Sequence, residues 1–250
     1  MHEGQRIFDS HTHIGYGMHS GRRQTADQLL REMDRFGVDR ALVIPFPIVE
    51  DHRAAHDEIA AAVRAHPDRL SGAACVNPFA AEFRDELKRC KQELGFVAMK
   101  LQPQYQAVNP QWESSLFVYE AALEHCWPLI VHTGSGIPYA LPSLQIVPAQ
   151  RYPELKIVLA HCGGGGIFKG EAILAATLCQ NIYLELSSLM PHDILEVLKN
   201  VPSHRLLAGS DLVESTRVEL SKYFLMDLEE ATQADILWNT AAGLFSRSRF

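Results

Sequence analysis

The chain has 250 residues, 47% of them hydrophobic and 21% charged, with a formal net charge of -7. That apolar content suffices for one large core, and about 250 residues is the usual size of a single α/β barrel. Lys and Arg form no long runs, which argues against a nucleic acid or an acidic membrane face as partner, and no stretch of about 18 apolar residues offers a membrane span.

From the N-terminus, a short apolar run ending in polar residues and followed by a helical stretch recurs eight times. The strand candidates are 6–13 (RIFDSHTH), 40–46 (RALVIPF), 70–77 (LSGAACVN), 95–102 (GFVAMKLQ), 128–133 (PLIVHT), 156–162 (KIVLAHC), 181–187 (NIYLELS) and 205–211 (RLLAGSD). Their starts recur every ~25–35 residues, the length of one strand plus one crossover helix. Between them, 25–36, 52–65 and 80–93 carry apolar residues at three- and four-residue spacing. Thr25 and Asp27 offer a helix start, and Gly37 and Gly95 look like helix stops. The last stretch, 229–246, reads as a helix closing the ring. Near-continuously apolar strands are those of a sheet buried on both faces. With no linker or low-complexity segment, the pattern predicts a (β/α)8 TIM barrel occupying 1–250 as a single domain. A doubly wound sheet is the rival fold, but it lacks its glycine-rich loop after the first strand. The GGGG at 163–166 reads as a tight turn into a helix.

The N-terminal MHEGQRIFDSHTH enters a strand-like run without the apolar core of a signal peptide. The five cysteines, Cys75, Cys90, Cys126, Cys162 and Cys179, include no CxxC pair and read as buried reduced thiols of a cytoplasmic protein.

Of twelve histidines, His11, His13, His132 and His161 stand at the carboxyl ends of predicted strands, and Asp211 ends the eighth. In a parallel barrel those ends open on one face, where active sites form. Residues two apart on a strand point the same way, so His11 and His13 should project inward together. Neutral imidazoles with a carboxylate suit zinc or a similar divalent ion, so the constellation predicts a metal site.

Six segments and the closing helix carry a resemblance. DSHTH (9–13), KLQP (100–103), VHTG (131–134), AHCGG (160–164), YLELS (183–187), GSD (209–211) and ILWNTAAGLF (236–245) resemble the amidohydrolase superfamily. The likeness is to its amidohydrolase-related branch, which holds aminocarboxymuconate-semialdehyde-type decarboxylases and several hydrolases. The resemblance implies metal ligation by His11, His13, His132 and Asp211, with His161 beside the site as general base or electrostatic partner. The chain departs from the pattern in two motifs. GSDLVES lacks the proline that often follows the Asp, and Gln102 stands where a histidine commonly follows KL.

Lys100 has three readings: a partner for a substrate carboxylate, an ion-pair partner of Asp211 or Glu185, or a carboxylated lysine bridging two metals. Glu185 reads as a structural partner. Substrate contacts are expected from loops after the strands, at Tyr16, Arg22, Arg23, Phe46, Pro47, Gln102, Tyr105, Ser135 and Tyr139. Trp112, Trp127 and Trp238 read as packing residues.

The function expected is a metal-dependent hydrolase of a small carboxylated or cyclic molecule, using one divalent ion, zinc before manganese, to activate water. His161 or Asp211 would carry the proton. The alternative is a metal-dependent non-oxidative decarboxylase, and a non-catalytic metal-binding barrel ranks below both. A homo-oligomer is compatible with the composition.

Overall fold

The computed structural model describes residues 4–246. Its strands are β1 (Phe8–Gly17), β2 (Arg22–Gln24), β3 (Arg40–Pro45), β4 (Leu70–Ala74), β5 (Ala98–Leu101), β6 (Leu129–His132), β7 (Ile157–Ala160), β8 (Ile182–Glu185) and β9 (Leu206–Leu207). They form one nine-stranded curled sheet, ordered β2-β1-β3-β4-β5-β6-β7-β8-β9. Every neighbouring pair is parallel except β1 with β2. Each of the eight expected runs carries a strand. The ninth, β2, turns back on an unexpectedly long β1, and Gly15 (φ 104°) sits opposite Gln24 in that hairpin. Across the seam of the sheet, Ser10 N donates to Ala208 O at 3.0 Å and Asp211 N to His11 O at 2.7 Å, beside a parallel bridge between Thr12 and Asp211.

Helices follow the strands: α1 (Ala26–Phe36), α2 (His52–Ala65), α3 (Phe83–Gln92), α4 (Phe117–Glu124), α5 (Ile146–Arg151), α6 (Lys169–Leu178), α7 (Pro191–Leu198) and α8 (Thr216–Leu225). Thr25 caps α1 in a reciprocal box with Gln28, and Gly37 ends it at φ 71°. Among the described residues, no helix is long and apolar enough to cross a membrane.

The core has two layers. The larger packs the outward strand residues, such as Ile14, Met99 and Leu159, against the helices. The smaller gathers Phe8, Leu42, Ala73, Ala98, Ile130, Val158 and Leu207, so strands from both ends of the sheet meet on its concave face. The last stretch runs as α9 (Glu230–Ala234), a π-helical turn over 235–239 and α10 (Thr240–Phe245). Its Ala241 and Phe245 plug that inner layer rather than adding another outer wall.

A bulge in β1 decides where the histidines point. Asp9 pairs with Ala41 but Thr12 with Val43, so β1 carries one residue more than β3 between these rungs. Phe8 faces the inner layer while Ile14, of the same parity, faces the helices. The bulge therefore moves the inward phase from Phe8 to His11 and His13, which an unbroken strand would have turned outward.

Candidate metal centre

His11 Nδ1 lies 3.0 Å from the Glu185 carboxylate, and His13 Nδ1 lies 3.0 Å from the Ile44 carbonyl. Both partners only accept, so each Nδ1 carries the proton and each Nε2 keeps its lone pair. Asp211 Oδ1 stands 3.7 Å from His11 Nε2 and 3.3 Å from His13 Nε2. Three acceptor atoms thus converge, and the donor facing them is Lys100 Nζ, 3.0 Å from His11 Nε2. Such a set calls for a cation at its centre, and two imidazoles with a carboxylate match a divalent transition ion.

His132 lies at the same mouth, its ring centroid 4.9 Å from that of His161. Its Nε2 faces Ser135 O at 2.9 Å, so it stands beside the three-donor group rather than within it, and Nδ1 keeps the free lone pair. His161 Nδ1 lies 2.7 Å from Ser187 Oγ, whose own proton goes to Glu185 at 2.9 Å. That chain leaves the His161 lone pair on Nε2. Burial pushes the His161 pKa down to about 4 and that of His132 to about 3. Burial, and then the Lys100 ammonium, hold His11 well below the usual histidine range. These three imidazoles are neutral at pH 7, as ligands and bases must be.

Glu185 is the hub. It accepts from His11 Nδ1 at 3.0 Å, His161 N at 3.1 Å, Ser187 N at 2.7 Å and Ser187 Oγ at 2.9 Å. Gly209 is small because a Cβ there would lie 2.6 Å from Glu185 Oε1 and 2.8 Å from His11 Cβ. Asp9 ties the seam, accepting from Ser210 Oγ at 2.6 Å and Ser210 N at 2.9 Å. Its burial raises the carboxyl pKa to about 7. The backbone is strained here: His161, Cys162, Ser188 and Asp211 all have positive φ without being glycine. Such conformations collect at functional sites because surrounding contacts must hold them.

A cavity of about 180 Å³ opens above, lined by His13, Lys100, His132, His161, Asp211, Arg22, Gln102 and Tyr105. The expected contacts Phe46, Pro47 and Ser135 line it too. Phe46 stacks on His13 with ring centroids 5.0 Å apart. Arg22 reaches the cavity already paired with Glu214. Gln102 Oε1 is spent on Tyr105 N at 2.6 Å. Arg23 turns away toward Glu58, Tyr16 is exposed, and Tyr139 packs edge-on to Trp112. His19, in the turn before β2, lines the cavity without having been singled out. The unrecognised hairpin places it there.

Two expectations are corrected. Lys100 makes its hydrogen bond to His11 rather than to Asp211 or Glu185, and its burial lowers the ammonium pKa. All five cysteines are free thiols, but Cys126 is exposed, not buried. A second donor group, His56, Glu86 and Cys90, is closed to metal, because His56 Nε2 already accepts from Cys75 N at 3.1 Å. A cavity of about 630 Å³ lies around Trp127, Pro128, Lys156 and Tyr183 at the amino ends of the strands, away from this chemistry.

Among solved structures, the chain is similar to dihydroxybenzoic acid decarboxylase from Polaromonas sp., solved with manganese and 2-nitroresorcinol. Identity is 18%, 98% of each chain is covered and the TM-score is 0.77. It is similar to 5-carboxyvanillate decarboxylase from Novosphingobium aromaticivorans, solved with manganese (16% identity, 98% of this chain and 97% of that one, TM-score 0.76). It is also similar to 4-oxalomesaconate hydratase from Rhodopseudomonas palustris (19% identity, 96% of each chain, TM-score 0.73). At such identities the likeness speaks for the fold. No curated protein matches the chain. The Amidohydrolase family profile (Amidohydro_2) matches residues 8–247, nearly the whole sequence, and the chain belongs to that family.

Proposed function

We propose that the chain is a metal-dependent enzyme, one closed (β/α)8 barrel domain, acting on a small carboxylated or cyclic molecule. The observation that carries this reading is the convergence of His11 Nε2, His13 Nε2 and Asp211 Oδ1, acceptors fixed by their own partners. These three would hold the ion, with His132 Nδ1 the candidate fourth donor. The seam bonds between β1 and 208–211, with the similar folds, support ring closure. Manganese in two of the similar structures supports a divalent ion, and nitrogen and oxygen donors accommodate zinc or manganese.

A divalent ion bound there would acidify water and polarise a carbonyl. His161, neutral and aligned by Ser187, takes a proton at Nε2 and returns it to the leaving group. Lys100 offers a buried cation to a substrate carboxylate. The free thiols fit a reducing compartment. Decarboxylation is the second reading, favoured by the two manganese decarboxylases among the similar folds. Carbon dioxide release separates it from hydrolysis.

The test is metal analysis with kinetics on one preparation. Wild-type protein loaded with manganese or zinc and dialysed should retain metal, while His11→Ala and Asp211→Ala lose most of it. His161→Asn should keep metal but lose roughly 10²–10⁴-fold in turnover. A wild-type protein that retains no metal refutes the reading. Metal loss in His161→Asn would make His161 a ligand.

A further inference from the structure

The mouth has a second lobe. Beside the cavity of about 180 Å³ lies one of about 470 Å³, and the two share His132, Ser135, His161 and Asp211 in their walls. Their chemistry differs. The small lobe carries Arg22, His19, Lys100 and Gln102. The large lobe is walled by backbone of the loops after β6 and β7, with the apolar side chains of Ile137, Ile167 and Phe168. Ile137 is 57% exposed and Ile167 79% exposed, so both present apolar surface to solvent. Apolar side chains exposed at the rim of a polar site mark a place where ligand covers them. The loops leave the lobe open because they lack side chains. Gly134 and Gly164 meet backbone to backbone, where a Cβ on Gly134 would stand 2.6 Å from Gly164 Cα, and a Cβ on Gly165 would meet nothing within 4 Å.

We infer that the substrate is bipartite: a carboxylate seated at Lys100 in the small lobe, and a bulky apolar group lying along Ile137 and Ile167 in the large one. This rests on the proposed function, since the carboxylate and the shared wall belong to that site. The reacting bond would lie between the lobes, below His161 and Asp211, which border both. A substrate of one small ring would leave the apolar lobe wet.

The experiment compares benzoate and 2-naphthoate by calorimetry on manganese-loaded protein. The added ring should tighten binding by about 10-fold, the worth of its apolar area. Ile167→Asp changes an exposed side chain and so leaves folding intact. It should abolish the preference for naphthoate over benzoate, while the added charge weakens both carboxylates alike. Equal affinity of the wild type for both probes overturns the lobe assignment alone, as does a preference that survives in the Ile137→Asp/Ile167→Asp double variant. If neither carboxylate binds although metal is retained, the carboxylate reading of the mouth falls, and the bipartite substrate with it.

Discussion

Replacing Glu185 by Gln keeps the volume and removes one charge, which isolates what the carboxylate does. Its Oε2 accepts from His11 Nδ1, His161 N and Ser187 Oγ, and its Oε1 accepts from Ser187 N. A glutamine amide has one acceptor oxygen and one donor nitrogen. Placing the nitrogen at the Oε2 position sets it against three donors, so it must take the Oε1 position and face the Ser187 N–H. One buried donor is then left unsatisfied, a cost of about 1–3 kcal/mol. His11 also loses an ionised acceptor for its Nδ1 proton, which weakens the basicity and orientation of Nε2. Losing an outer partner of this kind costs about 10–100-fold in metal affinity. Competition against a graded chelator measures that affinity, and urea unfolding of the metal-free protein measures the stability loss separately. The reasoning fails if Glu185→Gln binds metal within about twofold of wild type, since the carboxylate would then orient nothing at the site.

Lys100→Met removes the ammonium that occupies the His11 Nε2 lone pair, so metal affinity should rise about 10-fold in the same chelator assay, the scale of a hydrogen bond to a charged group. A variant that loses metal would instead support a lysine that helps to hold it. Away from the site, burial opposes the charge of Glu86, but His56 and Arg89 outweigh it and lower its pKa from 4.5 to about 2. This is a depressed carboxylate, so its stabilisation is complete above pH 4.5 and is lost as pH falls toward 2. Glu86→Gln should flatten the fall in urea midpoint across that window, and an unchanged slope would show that other carboxylates govern acid unfolding.

The strands were legible because residues buried on both faces leave continuous apolar runs, and runs such as 40–46 and 128–133 matched β3 and β6 to within a residue or two. The α1 start was legible at Thr25, where a short side chain replaces a missing backbone partner. The hairpin was not. Its partner strand, RRQ, is polar and three residues long, and it carries no periodicity to detect. Nor was the bulge in β1, because an extra residue leaves no mark on composition. The inward direction of His11 and His13 was expected from simple alternation, yet it depends on that break in alternation. The candidate site residues could be named from residue type and position at strand ends, whereas the hydrogen bonds of Glu185 depend on three segments meeting in space. Lys100 illustrates the same limit: parity turned it inward, but only the fold set it against an imidazole rather than a carboxylate.

The orienting partners explain why the donors sit on strands and their ends rather than on free loops. His11 is held by Glu185 at the end of β8, His13 by the Ile44 carbonyl in β3, and His161 by Ser187 just past β8. Asp211 is held by its own main chain, whose N–H donates to His11 O at 2.7 Å. The rings of His11, His13 and His161 are thus each fixed by another element, so rotating one breaks a buried hydrogen bond elsewhere. Such restraint keeps the lone pairs pointed at a common centre before any ion arrives. The positive φ at His161 and Asp211 has the same source. A relaxed backbone would carry either side chain off that centre; the seam contacts, Ser210 to Asp9 and Asp211 to His11, hold Asp211, and the bond from His161 N to Glu185 holds His161. The seam therefore does two jobs with one set of bonds: it joins β1 to the stretch after β9, and it brings the carboxylate of Asp211 to the histidines of β1.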